Sequence, residues 1–168
     1  MSTAPQVIGC TTGRVLLKEE FAAEVILRQR DYRPDSPGHN SNAILLIGDK
    51  ALKHDMQLSA THLRIDLAQW WFKQFGLPFV FGVWGARQNW AQNNESRFQE
   101  IAASLVKSCA LGLTNLLPAV IKEASARTQL SHERLHCYYT HELDYKLTDN
   151  HRQALQLFGQ LCRKNGLL

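Results

Sequence analysis

Three short stretches carry residue types that do chemistry. The first is GCTTGR, residues 9–14, where two hydroxyls and a glycine are expected at the junction of a short Val7–Ile8 strand and a following helix. Free N–H groups at a helix N-terminus, helped by threonine hydroxyls, hold carboxylates or phosphates. An ordinary N-cap without a ligand uses the same residue types. The GxxxxGK[ST] spacing of a phosphate-binding P-loop is absent. The second stretch is IGDKAL, residues 47–52, which sets Asp49 just past an apolar run. Strand ends of that kind face the ligand crevice in open α/β sheets, although a turn aspartate that caps the next helical turn reads the same way. The third is HERLH, residues 132–136, a literal H-E-x-x-H. In zinc peptidases the counterparts of His132 and His136 share a helix face and bind the metal, with the glutamate as general base. Arg134 inside the motif sets a cation beside such a metal, and His141 does not complete the longer zincin pattern. The reading adopted is an amphipathic helix with solvated histidines and no metal site.

The remaining chemistry is sparse. Trp70, Trp71, Trp84 and Trp90 are able to stack on a ring, but core packing or an anchor between lobes suits the first three better. No nucleophile triad, GxSxG, GxGxxG or pair of metal-binding carboxylates stands out. Four cysteines, Cys10, Cys109, Cys137 and Cys162, lie too far apart for a CxxC site and are read as reduced thiols.

Composition frames these stretches. Among 168 residues, 45% are hydrophobic and 20% charged, a globular balance rather than a disordered one. The net charge of +4 is scattered over the chain and forms no basic stripe, so nucleic acid is not an expected partner. A mildly basic chain is compatible with a small anion. No apolar run is long enough to span a bilayer, and the start, MSTAPQVIG, is not read as a secretory signal. A cytoplasmic protein with no membrane partner is therefore expected.

The elements that must position the chemistry follow from periodicity. A helix is expected through RVLLKEEF, a strand through EVILRQ, and a loop over YRPDSPGHNSN, residues 32–42. AILLI, residues 43–47, reads as a strand buried on both faces. The stretch DLAQWWFKQFG is the clearest helix, with Asp66 as N-cap, Gln69 three residues on, and Gly76 then Pro78 as the stop. Phe79–Ala86, uncharged and rich in aromatic and β-branched residues, reads as a second fully buried strand. Its glycines, Gly82 and Gly85, permit a bend or a close approach. From Glu95 the chain is expected to be helical. One stripe runs through Phe98, Ile101, Ala102, Leu105 and Cys109, and Gly112 ends that helix. Thr114, Ser131 and Thr148 are expected to cap the three helices that follow.

At AILLIGDKAL and IDLAQWWFKQFGLPFVFGVWGAR the chain resembles the MqnA family, the chorismate dehydratases of the futalosine route to menaquinone. The family signature is similar: an apolar strand ending in IGD-x-AL, then DL-x-x-x-W and GLPFVFAVW. The tail YYTHELDYKL…ALQLFGQLCRKNGLL is similar to the family's tyrosine segment and terminal helix. Gly48–Asp49 and LPFVFG favour this family over its sister MqnD, which cleaves a cyclic futalosine and carries a catalytic histidine in an HEG context with a PLPLG-type strand.

The resemblance implies an α/β fold of periplasmic-binding-protein-like, two-lobed architecture, with the C-terminal half helical and the N-terminal part of the first lobe missing from this chain. Residues 1–80 would form a partial second lobe, and residues 81–168 a hinge strand plus the helical part of the first. It implies elimination of water from chorismate without metal or organic cofactor. Thr11, Thr12 and Gly13 would lie at the carboxylate-binding loop, a run degraded here to CTTG, and Gly48 and Asp49 at the crevice edge. The catalytic residues, among them an asparagine implicated in the elimination, would belong to the missing portion. A non-catalytic lobe that binds a small carboxylate, a protein partner or a second copy of itself is the alternative, and a zinc peptidase through HERLH the third.

Overall fold

The computed structural model describes residues 4–24, 26, 43–54 and 63–168, and for residues 4–9 the backbone alone. The expected loop over 32–42, and the expected EVILRQ strand apart from Glu24 and Ile26, lie outside the described residues. In order, the helices are α1 (Ala4–Phe21), α2 (Asp49–His54), α3 (Leu67–Phe75), α4 (Gln88–Asn93), α5 (Glu95–Leu113), α6 (Leu117–Thr128), α7 (His132–Cys137) and α8 (Asp149–Lys164). A π-helical turn, Tyr138–Glu142, continues α7.

The described residues contain no β-strand, and three expectations are corrected on that account. Val7 and Ile8 belong to α1, which runs on without a break through the whole of GCTTGR. Residues 43–47 are non-helical and unpaired, with Leu45 36% exposed. In the Phe79–Ala86 run only Phe79 and Val80 pack on a core, while Phe81, Val83 and Trp84 are 57%, 56% and 85% exposed. A strand needs a neighbour to take its N–H and C=O groups. Apolar composition does not supply one.

The chain divides into two compact units. One comprises residues up to Val83 together with Leu147–Leu168, and the other is Trp84–Lys146. The division thus falls within the GLPFVFGVWGAR run, and α8 groups with the first unit, whereas the sequence reading placed all of 81–168 together.

In the first unit α1 packs on α3 and α8. Val15, Leu16, Trp70, Trp71, Ala154 and Cys162 are buried there, with Phe75, Phe79, Phe158 and Leu161 around them. Local signals place α3 as expected. Asp66 Oδ1 accepts from the Gln69 N–H at 2.9 Å, and Gly76, at φ 65°, turns the chain out while its N–H closes on Phe72 O. Thr148 and His151 form a capping box at the start of α8, with the Thr148 N–H donating to His151 Nδ1. Burial pushes the Cys162 thiol up from its ordinary pKa, which keeps it protonated and inert.

Polar contacts tie the C-terminal end of α1 to its neighbours. Glu20 accepts from the Trp70 indole at 3.1 Å and from Gln74 at 2.8 Å. Glu19 accepts from Asn165 Nδ2 at 2.9 Å and from Lys164 Nζ at 2.9 Å. The Asn165 hydrogen bond first, then Lys164, holds the Glu19 carboxyl below its ordinary pKa. A carboxylate whose folded pKa is depressed stabilises the fold above its unfolded pKa, and that contribution is lost as pH falls through the folded value. The Glu19 contribution to thermal stability should therefore be lost progressively as pH falls below about 4.5. Glu19→Gln should flatten that acid limb and leave the melting temperature near pH 7 slightly lower. Melting followed by circular dichroism across this range checks both; an unchanged acid limb would refute the role of Glu19.

In the second unit α6 packs on α7 through Ile121, Ala124 and Leu135, with Leu117, Leu130 and Tyr139 around them. Ser131 caps α7 as expected, accepting from the Arg134 N–H at 3.1 Å. Thr114 does not cap α6. Its hydroxyl turns back to Ala110 O at 2.7 Å and closes the end of α5 instead, while Leu116 occupies the α6 N-cap position. α5 ends at Leu113, one residue past Gly112, and buries none of its residues fully.

Candidate functional site

The sequence-predicted carboxylate residues sit on two elements of the first unit. Thr11, Thr12 and Gly13 lie in the interior of α1, not at its N-terminus. Mid-helix N–H groups are consumed by the i→i−4 ladder, so the expected cradle of free donors is not the arrangement present. Thr12 is fully buried, on the face that also carries Val15 and Leu16. Thr11 is half-buried on another face. Gly48 takes a left-handed conformation, φ 65°, and turns the chain into α2, where Asp49 is the exposed first residue. The two groups approach each other through their neighbours: a methyl group at Gly13 would lie 3.6 Å from Leu45 Cδ2, an ordinary van der Waals distance. The fold therefore brings the CTTG helix against the segment that leads into Gly48–Asp49.

Two cations beside that contact were missed in the sequence. Arg14 and Lys18 are spaced i, i+4 on α1 and share a stripe with Thr11. Together with Glu24 and Ile26 they line a hollow of about 130 Å³. Lys18 Nζ donates to Asn165 O at 3.2 Å. The sequence carries the signal as a basic pair at helical spacing, Arg14 at the end of GCTTGR and Lys18 one turn on, whereas a strand-to-helix junction there implies backbone N–H donors.

In the second unit, HERLH forms α7 with His132 and His136 both exposed. Among the described residues no group of three His, Cys, Asp or Glu side chains comes together to hold a metal ion. Arg134 forks onto the Glu142 carboxylate at 2.7 and 3.1 Å, and Thr140 donates to His136 O at 2.7 Å. These contacts lock the π-helical turn, a local form often found at functional sites. Burial, with smaller contributions from Cys109, Tyr138 and Tyr139, pushes the Tyr145 hydroxyl up from its ordinary pKa. Tyr145 therefore stays a neutral donor at physiological pH. An open face of α5 with a volume of about 590 Å³ is lined by Arg97, Ile101 and Leu105 among others, and encloses nothing.

No described helix is by itself long and apolar enough to cross a membrane; α5 and α6 reach that threshold only as a pair bent by 83°. The family model described as menaquinone biosynthesis matches residues 10–164 of the chain. No solved structure matches the chain.

Proposed function

Because the chain belongs to the menaquinone biosynthesis family, and so has its role in that pathway, we propose that it is a chorismate dehydratase homologue. The match over residues 10–164 carries this reading, supported by IGD at 47–49 and GLPFVF at 76–81. The reaction proposed is a carbon–oxygen lyase step: chorismate loses its ring hydroxyl and a ring proton as water and becomes 3-[(1-carboxyvinyl)oxy]benzoate. Nothing is oxidised or reduced, and aromatisation drives the elimination, so the step needs no cofactor. The site must hold two carboxylates, orient the leaving hydroxyl and exclude bulk water. We assign carboxylate binding to the region of α1 around Thr11, Thr12 and Gly13 and to the Gly48–Asp49 turn. The two-lobed α/β architecture and the cytoplasmic setting are parts of the same proposal.

Incubation of the chain with chorismate, with aromatic product followed by absorbance, tests this directly. Appearance of the enolpyruvyl benzoate supports the assignment, and its absence even after the N-terminal portion of a longer family member is added in trans overturns it. A second reading, a non-catalytic lobe that binds a small carboxylate or a protein partner, is favoured by one observation: α5 keeps its apolar stripe half-exposed, with Ile101 at 40%. Calorimetric binding of chorismate without turnover, or self-association on a sizing column, would select that reading.

A further inference from the structure

Arg14 differs from the other described cations. Lys164 pairs with Glu19, Arg134 with Glu142 and Arg97 with Glu100, and Lys18 donates to Asn165 O. The described lysines and arginines that lack an acceptor, such as Lys50, Lys73, Lys107 and Arg163, are exposed and satisfied by water. Among the described residues Arg14 is the one half-buried lysine or arginine with no acceptor. A guanidinium carries five donors in a fixed fork that matches a carboxylate. Leaving such a group half out of water without a partner costs free energy that a bound anion would recover.

The geometry points to Arg14, backed by Lys18 one turn on, as the receiver of a carboxylate from a small ring-bearing hydroxy acid; this rests on the carboxylate-binding reading above and names the residues for it. Three features of the hollow set the ligand class. Among the described lining residues two cations face one carboxylate, Glu24, so the hollow takes one carboxylate of the ligand and a second one lies outside it. Ile26 supplies an apolar wall for a ring. Glu24 accepts hydrogen bonds, so a hydroxyl-bearing ring edge suits its side of the hollow. Thr11, one turn before Arg14 on the same stripe, adds a hydroxyl donor to the row. The threonine contribution is then a side chain on a helix face rather than a loop of backbone N–H groups.

Titration calorimetry of the full chain with chorismate and with benzoate tests the assignment. Wild-type protein should bind both saturably, chorismate more tightly, and more weakly as salt is raised. Arg14→Gln should weaken chorismate binding at least tenfold, about 1.4 kcal/mol. Arg14→Lys should recover part of that loss, because a point charge replaces the fork, and Arg163→Gln, at an exposed cation of the same unit, should bind as wild type. Melting curves confirm that each variant is folded. Binding by Arg14→Gln equal to wild type, or no saturable binding of either acid by the wild type, would overturn the inference. The dehydratase reading is separable: Arg14-dependent binding without turnover sustains the subsite and sinks that reading, whereas turnover unchanged in Arg14→Gln does the reverse.

Discussion

Trp71→Ala should lower the stability of the first unit by about 3–5 kcal/mol, measured by denaturant unfolding followed in the far ultraviolet. Trp71 is fully buried and stands at the centre of an aromatic cluster, with the Phe75, Phe79 and Phe158 rings at 4.5, 5.5 and 5.9 Å. Truncation removes the largest fully buried side chain among the described residues and leaves a void that helices on several sides cannot all close. One effect works the other way. Among the described atoms the Trp71 Nε1–H has no acceptor, and a buried unpaired donor costs about 1–3 kcal/mol. Alanine removes that donor too, which sets the expected loss toward the lower end of the range. Trp71→Phe keeps most of the packing and discards the donor, so it should cost less than half as much. A Trp71→Ala protein within 1 kcal/mol of wild type would show that this cluster is not what holds α1, α3 and α8 together.

Leu135→Ala should cost the second unit about 2–5 kcal/mol. Leu135 is 1% exposed and is the largest of the fully buried side chains of that unit. With Ile121 and Ala124 it forms the small core between α6 and α7, edged by Leu117, Leu130 and Tyr139. The loss should therefore appear as local opening. Amide hydrogen exchange gives the readout: the Gln129 N–H, bonded to Ser125 O, and the Leu135 N–H, bonded to Ser131 O, should lose protection by two or more orders of magnitude. Protection that persists at both amides would place the stability of this helix pair elsewhere.

The residues show why some elements were legible and others were not. The ends of α3, α7 and α8 are written in short-range chemistry: Asp66 with Gly76, Ser131, and Thr148. Each of those signals acts within four residues of itself, and each is found where the sequence put it. AILLI and FVFGVWGA failed as strands because pairing is supplied by another segment, and no window of sequence contains its own neighbour. GCTTGR failed as a junction because threonine and glycine are poor helix formers only by fractions of a kcal/mol. Burying Val15 and Leu16 against α3 and α8 outweighs that. Of the candidate site, the sequence names Thr11–Gly13 and Gly48–Asp49 as positions, and the fold brings the Thr11–Gly13 helix against the segment before Gly48. The half-burial of Arg14 without an acceptor is a fact of tertiary structure that no sequence window contains.

The clasp between Glu19 and Lys164 spans 145 residues of chain, and that between Lys18 and Asn165 spans 147. A ribosome makes α1 and α3 long before α8, so their shared apolar faces stay uncovered while the whole of Trp84–Lys146 emerges. The inserted helices close on sequence-local contacts and need not wait. Completion of the first core depends on a late loop closure of high contact order, the slow and aggregation-exposed step for this topology.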